Sequence, residues 1–566
     1  MEYTIGMYIR QTSRKNKDGS TVRYLQLAHN VWDAQAGCAK AQVIYNFGRA
    51  DQVDVDALRR LVKSIFRFLS PEDDLRTQAE LAGQDTDSLR FIESRPLGGA
   101  WVLAQLWERL GIPAAIQKAL AERNFRSPVE RALFAMVANR CLAPASKLAV
   151  EKWVREEVAL PGCPDLPVQQ LYRAMDALLE VQEPLQERVF FSVAHLLNLE
   201  VDLLFLDTTS TYFEVEEEDE KGQGLRRRGH SKDHRPDLPQ AVIGLAVTRE
   251  GIPVRCWVWP GNTADVSVIS EVKRDLVGWK LGRVITVIDR GFTSEANLRE
   301  LQRAGGHYIA GEKMQSGKAE VEEALSRAGR YKTVRDNIEV KEIVVGDGEA
   351  RTRYILVRNP HEAVRDKAKR EEILGRLQEE LAAIGTLDGK AHSKAVCELV
   401  AHPVYGRYLK TDRKGRSRLN EAKIREEERL DGKYLLRTSD DTLSAEDAAL
   451  GYRQLHEVED AFRTLKQTLE LRPVYHRLED RIRAHVLLCW LGLLLIRVAE
   501  TRTRRTWRDL RASLQRMHLG RFEGEQGVVE QRTETTADQG QIFQALGIEE
   551  PPRIYSMTTS LQEEGA

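Results

Sequence analysis

The chain has 566 residues, which is too many for a single hydrophobic core and indicates about three or four structural units at roughly 150 residues per domain. Hydrophobic residues make up 42% and charged residues 30%, as in a soluble globular protein that is richer in charge than average. The formal net charge is -1, from 85 Lys plus Arg against 86 Asp plus Glu. The total charge therefore does not indicate a nucleic-acid partner, and only local clusters of charge could do so.

The six cysteines are scattered along the chain without any CxxC pair. This spacing argues against a zinc site or a disulfide framework and fits a reducing compartment. The N-terminal residues lack the layout of a signal peptide. The longest apolar run, residues 486–496, is shorter than the roughly 20 residues that span a bilayer, and it predicts a buried helix. We therefore expect a cytoplasmic protein with no membrane partner.

Short runs of alternating apolar and polar residues over 1–54 predict a small β-rich N-terminal segment. From 55 to 199 apolar residues recur at three- and four-residue steps, which is typical of helices.

The stretch 200–313 has the most informative order of elements. Three apolar runs predict strands, and a helix, a strand, a second helix and a last strand follow them; the predicted elements are 201–207, 240–247, 252–259, 265–279, 283–289, 295–305 and 307–313. Three strands before the first helix predict a mixed sheet, antiparallel at first and then parallel. This is the ribonuclease H pattern, although a short mixed sheet has other solutions.

Residues 314–440 interrupt this order and predict an insertion domain. Its predicted elements are the strands RTRYILV, AVCELVA and GKYLLRT and a helix at 361–384. Two helices, at 444–467 and 478–501, follow, and the polar residues after 520 are expected to be partly disordered.

The predicted fold class is therefore α/β, with an RNase H-like mixed-sheet catalytic core, an insertion domain and a mainly helical N-terminal region. The predicted segments are 1–54, 55–199, 200–313, 314–440, 441–520 and 521–566.

Asp207 and Asp289 each stand at the end of an apolar strand. Strand ends are where sites form in open sheets, and two such aspartates can share one crevice. For either residue alone, capping of the following turn is the more frequent role of aspartate. The matched pair favours a shared site.

The third element is the predicted helix that holds Tyr452, Glu459 and Lys466. These residues are seven positions apart (459 − 452 = 7; 466 − 459 = 7), which is close to two helical turns, so they project from one stripe. A solvated face with chance spacing is the alternative, but a separate apolar stripe beside these residues leaves the polar one free for other work.

The three carboxylates Asp207, Asp289 and Glu459 would form an oxygen-rich site suited to Mg²⁺ or Mn²⁺ rather than to zinc. Two such ions about 3.5–4 Å apart activate an attacking oxygen and stabilise the leaving one in phosphodiester displacement. Tyr452 and Lys466, on either side of Glu459, could then hold phosphates.

At these residues the chain resembles the DDE transposases of insertion sequences, in the IS-four superfamily with the signature Y-x2-R-x3-E-x6-K. Tyr452, Glu459 and Lys466 fall in register with this signature, whereas its arginine position holds Leu455, which removes one expected DNA contact. Other segments resemble the family as well: LFLDTTSTYFE, GHSKDHRPDLPQ, WPGNTADVS, VIDRGFTSEANL and RPVYHRLEDRIRAHVLLCWLGLLL. The resemblance spans residues 200 to 500, with a looser match over the helical N-terminal part.

The resemblance implies movement of a DNA element, in which water attacks at the transposon end and the freed 3′-hydroxyl attacks target DNA. It implies two Mg²⁺ ions per active site, with Mn²⁺ as a substitute. It also implies double-stranded DNA partners, namely terminal inverted repeats and target DNA, and a homodimer in the synaptic complex. The separation of Asp289 from Glu459 (459 − 289 = 170) implies an inserted domain, which in this group helps to hold a flipped base. The helical residues 55–199 are then the expected end-recognition region.

Local charge adds candidate DNA contacts. The run 226–236 is the strongest because it lies between the first two core strands, and it supplies Lys232, His234 and Arg235. Arg453 and Arg463 are candidate replacements for the missing signature arginine. Two further basic clusters are equally well explained as solvated faces: residues 407–418 have six basic residues against one acidic, and residues 497–516 have seven against two.

Three other features receive structural interpretations. The acidic run 214–220 is expected to form a hairpin tip away from DNA. Trp257 and Trp259 are expected in the core rather than stacked on a base. His230 and His234 are not favoured as metal ligands, because no third nitrogen or sulfur ligand has suitable spacing.

Two rival functions stand beside the transposase. A glycosidase would also use two carboxylates, but it needs an aromatic-rich cleft and aromatics are only 7% here. A domesticated or inactive transposase that binds DNA without cutting it is favoured by Leu455 and disfavoured by the presence of all three carboxylates.

Overall fold

The computed structural model describes most of the chain. The described residues are 7–16, 21–33, 38–66, 90–121, 128–163, 165–197, 199, 201–219, 224–279, 281–315, 317–335, 337–348, 351–412, 417–472, 474–524 and 527–559. The chain divides into two compact units, which are Met1–Arg90 with Glu523–Val528 and Thr559–Ala566, and Phe91–Phe522 with Val529–Thr558.

The first unit contains a three-stranded antiparallel sheet in the order β1-β2-β3. Its elements are β1 (Met7–Lys15), β2 (Thr21–Asp33), β3 (Cys38–Arg49) and a helix, α1 (Val55–Phe66). The predicted fold class included a mainly helical N-terminal region, and this prediction is wrong for the described residues of 7–49, which form the three strands. Apolar and polar residues alternate there with the two-residue period of a strand, and helices begin only at Val55.

The remaining elements follow in chain order. The strands are β4 (Arg90–Pro96), β5 (Leu203–Tyr212), β6 (Gln240–Thr248), β7 (Pro253–Pro260), β8 (Ile285–Ile288), β9 (His307–Glu312), β10 (Lys332–Arg335), β11 (Ile338–Val345), β12 (Thr352–Arg358), β13 (Leu409–Thr411), β14 (Ser417–Leu419), β15 (Lys433–Thr438), β16 (His518–Gly524), β17 (Gly527–Arg532) and β18 (Ile554–Thr559). The helices before the nine-stranded sheet are α2 (Gly98–Arg109), α3 (Ile112–Leu120), α4 (Val129–Leu142), α5 (Lys147–Lys152), α6 (Val168–Glu180) and α7 (Gln182–Leu197). The later helices are α8 (Ile269–Val277), α9 (Glu295–Gln302), α10 (Ala319–Ser326), α11 (Pro360–Ile384), α12 (Gly389–Ala401), α13 (Glu421–Glu428), α14 (Ala445–Arg453), α15 (His456–Arg463), α16 (Glu479–Thr503), α17 (Trp507–Leu514) and α18 (Ala537–Leu546).

Helix α16 runs through the main hydrophobic core. Within the described part of the chain it is the one straight helix long and apolar enough to cross a membrane, but 89% of its apolar window is buried inside the protein. Every residue from 486 to 496 is buried, so the predicted buried helix is confirmed. It packs against α4 and α6 as the core helix of a globular unit.

The second unit contains a nine-stranded sheet, in which the strands lie in the order β10-β11-β12-β15-β9-β8-β5-β6-β7. Strands β5, β6 and β7 pair antiparallel, whereas β8 is parallel to both β5 and β9. The predicted order of three strands, helix, strand, helix and strand is confirmed. This large mixed sheet is consistent with an RNase H-like core.

The region after β9 extends this sheet. Strand β15 pairs antiparallel with β9, and β12, β11 and β10 continue outward from it. Helices α11, α12 and α13 instead enclose a small apolar cluster around Leu377, Leu399 and Tyr408. Residues 314–440 thus have a sheet part and a helical part.

The strands predicted at RTRYILV and GKYLLRT are confirmed as β12 and β15. The strand predicted at AVCELVA is wrong, because these residues end helix α12. Val396 and Leu399, three positions apart, face the apolar cluster, and this helical spacing outweighs the local β preference of the run.

The single helix predicted over 444–467 is also wrong. It is divided into α14 and α15, with the break at Gln454 and Leu455, and it ends in a π turn at Thr464–Thr468. Leu455 packs against the main core at this break, so the chain turns to bury it.

The C-terminal residues are ordered where the structure describes them. Strands β16, β17 and β18 join β4 in a four-stranded sheet, and α18 begins with a capping box of Thr536 and Gln539. The prediction that the residues after 520 are partly disordered is therefore wrong for 527–559. The side chains of Ile542, Phe543 and Leu546 form an apolar face of α18 that is buried.

Candidate active site

Two aspartates occupy adjacent positions at one end of the parallel pair β5 and β8. The last parallel partners are Leu206 and Ile288, so Asp207 and Asp289 are the next residues on neighbouring strands. Adjacent strands are about 4.8 Å apart, which places the two carboxylates side by side. The prediction that Asp207 closes its strand is wrong, since β5 continues to Tyr212 through antiparallel pairing with β6.

Asp207 lies in a crowded and largely dehydrated position. The backbone N–H of Thr208 donates to its Oδ1 at 2.7 Å, and its side chain is 24% exposed. Burial raises the pKa of Asp207 to about 6; Lys232 and the Thr208 N–H oppose this rise, and the charges of Asp265 and Asp289 add to it. Three acids therefore act on one another at this edge of the sheet.

Asp265 is a site residue that the sequence argument did not select. The Thr208 hydroxyl donates to its Oδ1 at 2.5 Å, and Lys232 Nζ lies 3.3 Å from its Oδ2. A signal was present, because the segment WPGNTADVS follows β7, whose C-terminal end lies at the same edge as that of β5. An acid directly after that strand belongs to the same crevice.

Lys232 places its ammonium between these carboxylates. Nζ donates to the carbonyl and hydroxyl oxygens of Thr208 at 2.8 and 2.7 Å and lies 3.9 Å from Asp207 Oδ1. The run that contains Lys232 therefore folds back over β5, and this residue reaches the site as a partner of acids.

Glu459 lies on α15, whose buried residues Val458, Ala461 and Phe462 fix it against the core. Its own side chain is exposed, and among the described residues it takes part in no hydrogen bond or ion pair. Together with Asp207 and Asp289 it lines a cavity of about 390 Å³. The structure thus brings the three predicted carboxylates to one opening.

Tyr452 lies behind Asp289. Its hydroxyl donates to Asp289 Oδ1 at 2.9 Å, and its ring stacks on Tyr434 with centroids 5.8 Å apart. Burial, followed by the neighbouring Asp289, raises the pKa of the Tyr452 phenol, so the hydroxyl stays a proton donor. A Cβ at Gly311 would stand 2.4 Å from this hydroxyl, and only glycine leaves the necessary space.

Lys466 is engaged inside the protein. Its Nζ donates to Asp233 Oδ1 at 2.7 Å, and Arg472 binds the same carboxylate oxygen. The side chains of Lys466 and Asp233 are only 13% and 4% exposed. Asp233 and Arg472 were both missed by sequence reasoning, because residues separated by more than 200 positions give no local signal.

The other predicted DNA contacts lie nearer the surface. Arg463 pairs with Asp460 at 2.6 Å and remains 61% exposed. Arg235 pairs with Asp237 and lies over the Tyr212 ring at 5.3 Å. His234 is exposed and has a left-handed backbone with φ 58°.

The acidic run 214–220 contacts the basic run 226–236. Arg226 Nε donates to Asp219 Oδ1 at 2.7 Å, and the Arg228 N–H donates to Glu218 Oε1 at 2.5 Å. Asp219 therefore forms an ion pair with the first arginine of the basic run, and the rest of the contact is made largely through backbone groups. The sequence analysis predicted that the acidic run forms a hairpin tip away from DNA, and it did not predict this contact with the basic run.

Trp257 and Trp259 are core residues, as predicted. They are 5% and 7% exposed, and their rings lie parallel with centroids 6.1 Å apart. Their Nε1 atoms donate to Asp275 and Glu271 of the helix that covers them.

The carboxylates supply oxygen ligands of the kind that Mg²⁺ and Mn²⁺ prefer. Burial first, and then the charges of Asp265 and Asp289, raise the pKa of Asp207, and a bound cation would offset both effects. Within the described ranges, however, no group of three or more acidic, histidine or cysteine residues is close enough to hold one ion. The chemistry of the donor set therefore fits a divalent metal, although the described carboxylates are not close enough together to hold one ion.

A larger cavity of about 710 Å³ opens from the same place. It shares Asp289 and Tyr452 with the carboxylate cavity and extends to α11 and the loop at Tyr408. Its described lining alternates bases and acids, including Arg290, Lys313 and Glu427. The helical part of 314–440 therefore faces the carboxylates.

The match to a known family shows that the chain is in the class of DNA transposases, and the mixed sheet is consistent with that class. Residues 210–495 match the family described as Transposase DDE domain, and residues 9–77 match the IS1634 family transposase, N-terminal domain. The first match covers half of the chain, and the chain belongs to the DDE transposase family, whose enzymes cleave DNA and transfer its strands. Asp207 lies three residues before the matched range.

Other comparisons are weaker. Among curated protein sequences none matches the chain. A solved structure, the piggyBac transposase synaptic complex with hairpin DNA, is 9% identical and is matched over 75% of this chain and 82% of that chain, with a TM-score of 0.34. This score is too low to establish a shared fold.

Proposed function

We propose that this transposase cuts DNA at the ends of its element and joins the freed 3′-hydroxyl to target DNA, with Asp207, Asp289 and Glu459 as its catalytic carboxylates. The observation that carries the proposal is that all three line one cavity of about 390 Å³, with the two aspartates adjacent at the end of a parallel strand pair. Membership of the DDE family supports it. The register of Tyr452, Glu459 and Lys466 supports placement in the IS-four superfamily.

When bound by these carboxylates, two Mg²⁺ ions, or Mn²⁺ in their place, would activate the attacking oxygen and stabilise the leaving one. The residues around them have separate tasks. The Tyr452 hydroxyl occupies one oxygen of Asp289 and so orients the other. Lys232 holds Asp207 and Asp265 together by its charge.

The proposed DNA partners are the terminal inverted repeats and the target duplex, and two chains are proposed to synapse two ends. The exposed side chains of Arg463, His234 and Arg235 are available to phosphates near the cavity. Lys466 is proposed to act together with Asp233, which fixes its position next to the site. A phosphate that reached Lys466 would compete with that ion pair.

The test is cleavage of a supercoiled plasmid that carries the ends of the flanking element, in Mg²⁺ or Mn²⁺. Wild type is compared with Glu459→Gln, which keeps the side-chain size and removes the charge. The matched control is Asp460→Asn, which removes a neighbouring charge that pairs with Arg463 at the surface. DNA binding is measured for all three proteins.

We expect wild type and Asp460→Asn to cut at the ends and Glu459→Gln to bind without cutting. Equal cleavage by all three would make Glu459 structural and require a different third carboxylate. Binding without cleavage by any of them would support the alternative, an inactive descendant that binds DNA, which the replacement of the signature arginine by Leu455 favours.

A further inference from the structure

A second cavity, of about 430 Å³, lies outside the carboxylate site. It is bounded by the loop before α5, by α6 and by the loop that leaves the π turn. Its described lining includes Arg140, Lys147, Glu470, Arg472, Tyr475, His476 and His485. None of the residues assigned above to catalysis lines it.

Lys147 is the central cation of this cavity. It is 3% exposed, and its ammonium takes part in no hydrogen bond or ion pair with the described residues. Burial, followed by the charge of Arg140, lowers the pKa of Lys147 to about 7. A buried ammonium without an anion is costly unless a ligand supplies the anion.

Arg140 and His485 each have a buried side-chain nitrogen without a partner. Arg140 is 7% exposed and uses its terminal nitrogens on the backbone oxygens of Leu469, Glu470 and Ala145, but its Nε has no partner. His485 is 3% exposed and uses Nε2 on the Leu471 carbonyl, while its Nδ1 has no partner. Of these two nitrogens, Arg140 Nε is a donor, whereas His485 Nδ1 is an acceptor because burial lowers the pKa of this ring and its Nε2 holds the proton.

The charge of the lining selects the ligand. Lys147, Arg140 and Arg472 are cationic, and Glu470, which is exposed, is the single acid among the described lining residues. Burial, followed by Lys147, lowers the pKa of His476 to about 4, so this ring is neutral and adds no charge. A ligand with several oxygens and at least one negative charge fits this set of donors.

The position of the cavity relates it to the carboxylates. Arg472 lines it and binds Asp233, and the residue before Asp233, Lys232, reaches Asp207. At the rim, Tyr475 is 73% exposed. An exposed aromatic ring beside a cationic pocket is the combination that holds a phosphate and stacks on the adjoining base or sugar.

We propose that this cavity binds a backbone phosphate of the DNA strand that leads to the carboxylate site, with Lys147 and Arg140 as its donors. The inference rests on the proposed function for the identity of the DNA, but the phosphate site itself does not depend on cleavage. Binding of the strand would hold the loop that carries Arg472 and so position Asp233 and Lys466 beside the cavity of the three carboxylates.

The experiment compares full-length wild type with Lys147→Met and with Lys118→Met. The first change keeps a long apolar stem and removes the buried charge; the second removes an exposed lysine on α3, outside the cavity. Thermal unfolding is measured with and without inorganic phosphate. Affinity for a duplex that carries the end of the flanking element is then measured over a series of salt concentrations.

Phosphate should raise the unfolding temperature of wild type and Lys118→Met but not of Lys147→Met. The slope of log affinity against log salt should become shallower by about one for Lys147→Met alone, since one phosphate contact is lost. A phosphate effect without a change in slope would show a site for free anions and overturn the DNA assignment. No phosphate effect in wild type would overturn the site itself. Loss of cleavage by the wild type would concern only the carboxylates, since neither readout here requires cleavage.

Discussion

The Tyr452 hydroxyl donates a hydrogen bond of 2.9 Å to Asp289 Oδ1, although the two residues are 163 positions apart. Tyr452 ends helix α14, just before the break, and Asp289 follows β8, so the bond joins the covering helices to the sheet edge. A tyrosine of the signature therefore acts on a carboxylate. Its sequence spacing alone had suggested a phosphate contact.

Removing this hydroxyl in Tyr452→Phe should lower the free energy of unfolding by about 1–2 kcal/mol, because hydrogen bonds to charged groups contribute about that much. Cleavage should slow by about tenfold, since 1.4 kcal/mol in a barrier is a factor of ten. Urea unfolding and plasmid cleavage check the two effects. Tyr45→Phe, at an exposed ring in β3, is the control and should change neither. Normal cleavage by Tyr452→Phe would count against an orienting role for the hydroxyl.

Gly311→Ala should disturb the same pair from the other side. The added Cβ would meet the Tyr452 hydroxyl at 2.4 Å, so the ring must move away from Asp289. We expect a loss of about 1–3 kcal/mol of stability, as for other insertions into packed regions, together with weaker cleavage. Gly375→Ala in α11 has open space around it and should be neutral or stabilising. Unfolding temperatures of both variants test this, and equal values would show that Tyr452 tolerates the methyl group.

Asp207→Asn should stabilise the metal-free protein while abolishing cleavage. The folded pKa of about 6 lies above the usual 3.8, so folding favours the protonated acid. The stability that the protonated acid contributes is fully present below about pH 4 and is lost as the pH rises through 6. At pH 7.5 the ionised Asp207 therefore lowers the free energy of unfolding. The variant should therefore gain on the order of 1–2 kcal/mol at pH 7.5 and little at pH 4. Chemical unfolding with a chelator at both pH values measures this; a variant less stable at pH 7.5 would contradict it.

The core of the site was predictable because its elements are local. The run 283–289 is apolar, short and closed by an acid, and it forms β8 with Asp289 next to it. The parallel register that places Asp207 beside this residue follows from the order of strands and helices. What matters for the two carboxylates is thus contained in segments of fewer than ten residues each.

The remaining parts depend on tertiary contacts that no local pattern contains. The pairing of β15 with β9 extends the sheet across more than 100 intervening residues. The helix is broken at Gln454 and Leu455, where Leu455 packs partly buried against the main core, and the uninterrupted helical periodicity of the sequence does not reveal this break. Lys466 looked like a free cation because Asp233, its partner, lies 233 positions away.

Lys147→Met offers a prediction about stability that is separate from DNA binding. The folded pKa of Lys147, about 7, is below the usual 10.5, so the unfolded chain binds more protons between these values and wild-type stability rises with pH across that window. In phosphate-free buffer the variant should therefore be more stable than wild type at pH 7, by on the order of 3 kcal/mol. Its advantage should shrink toward pH 10, and phosphate at pH 7 should reduce it by stabilising wild type alone. Chemical unfolding of both proteins at pH 7, 8.5 and 10 would reveal the trend. A variant that is less stable at pH 7 would mean that the ammonium already has a partner, and the cavity would then need no anion.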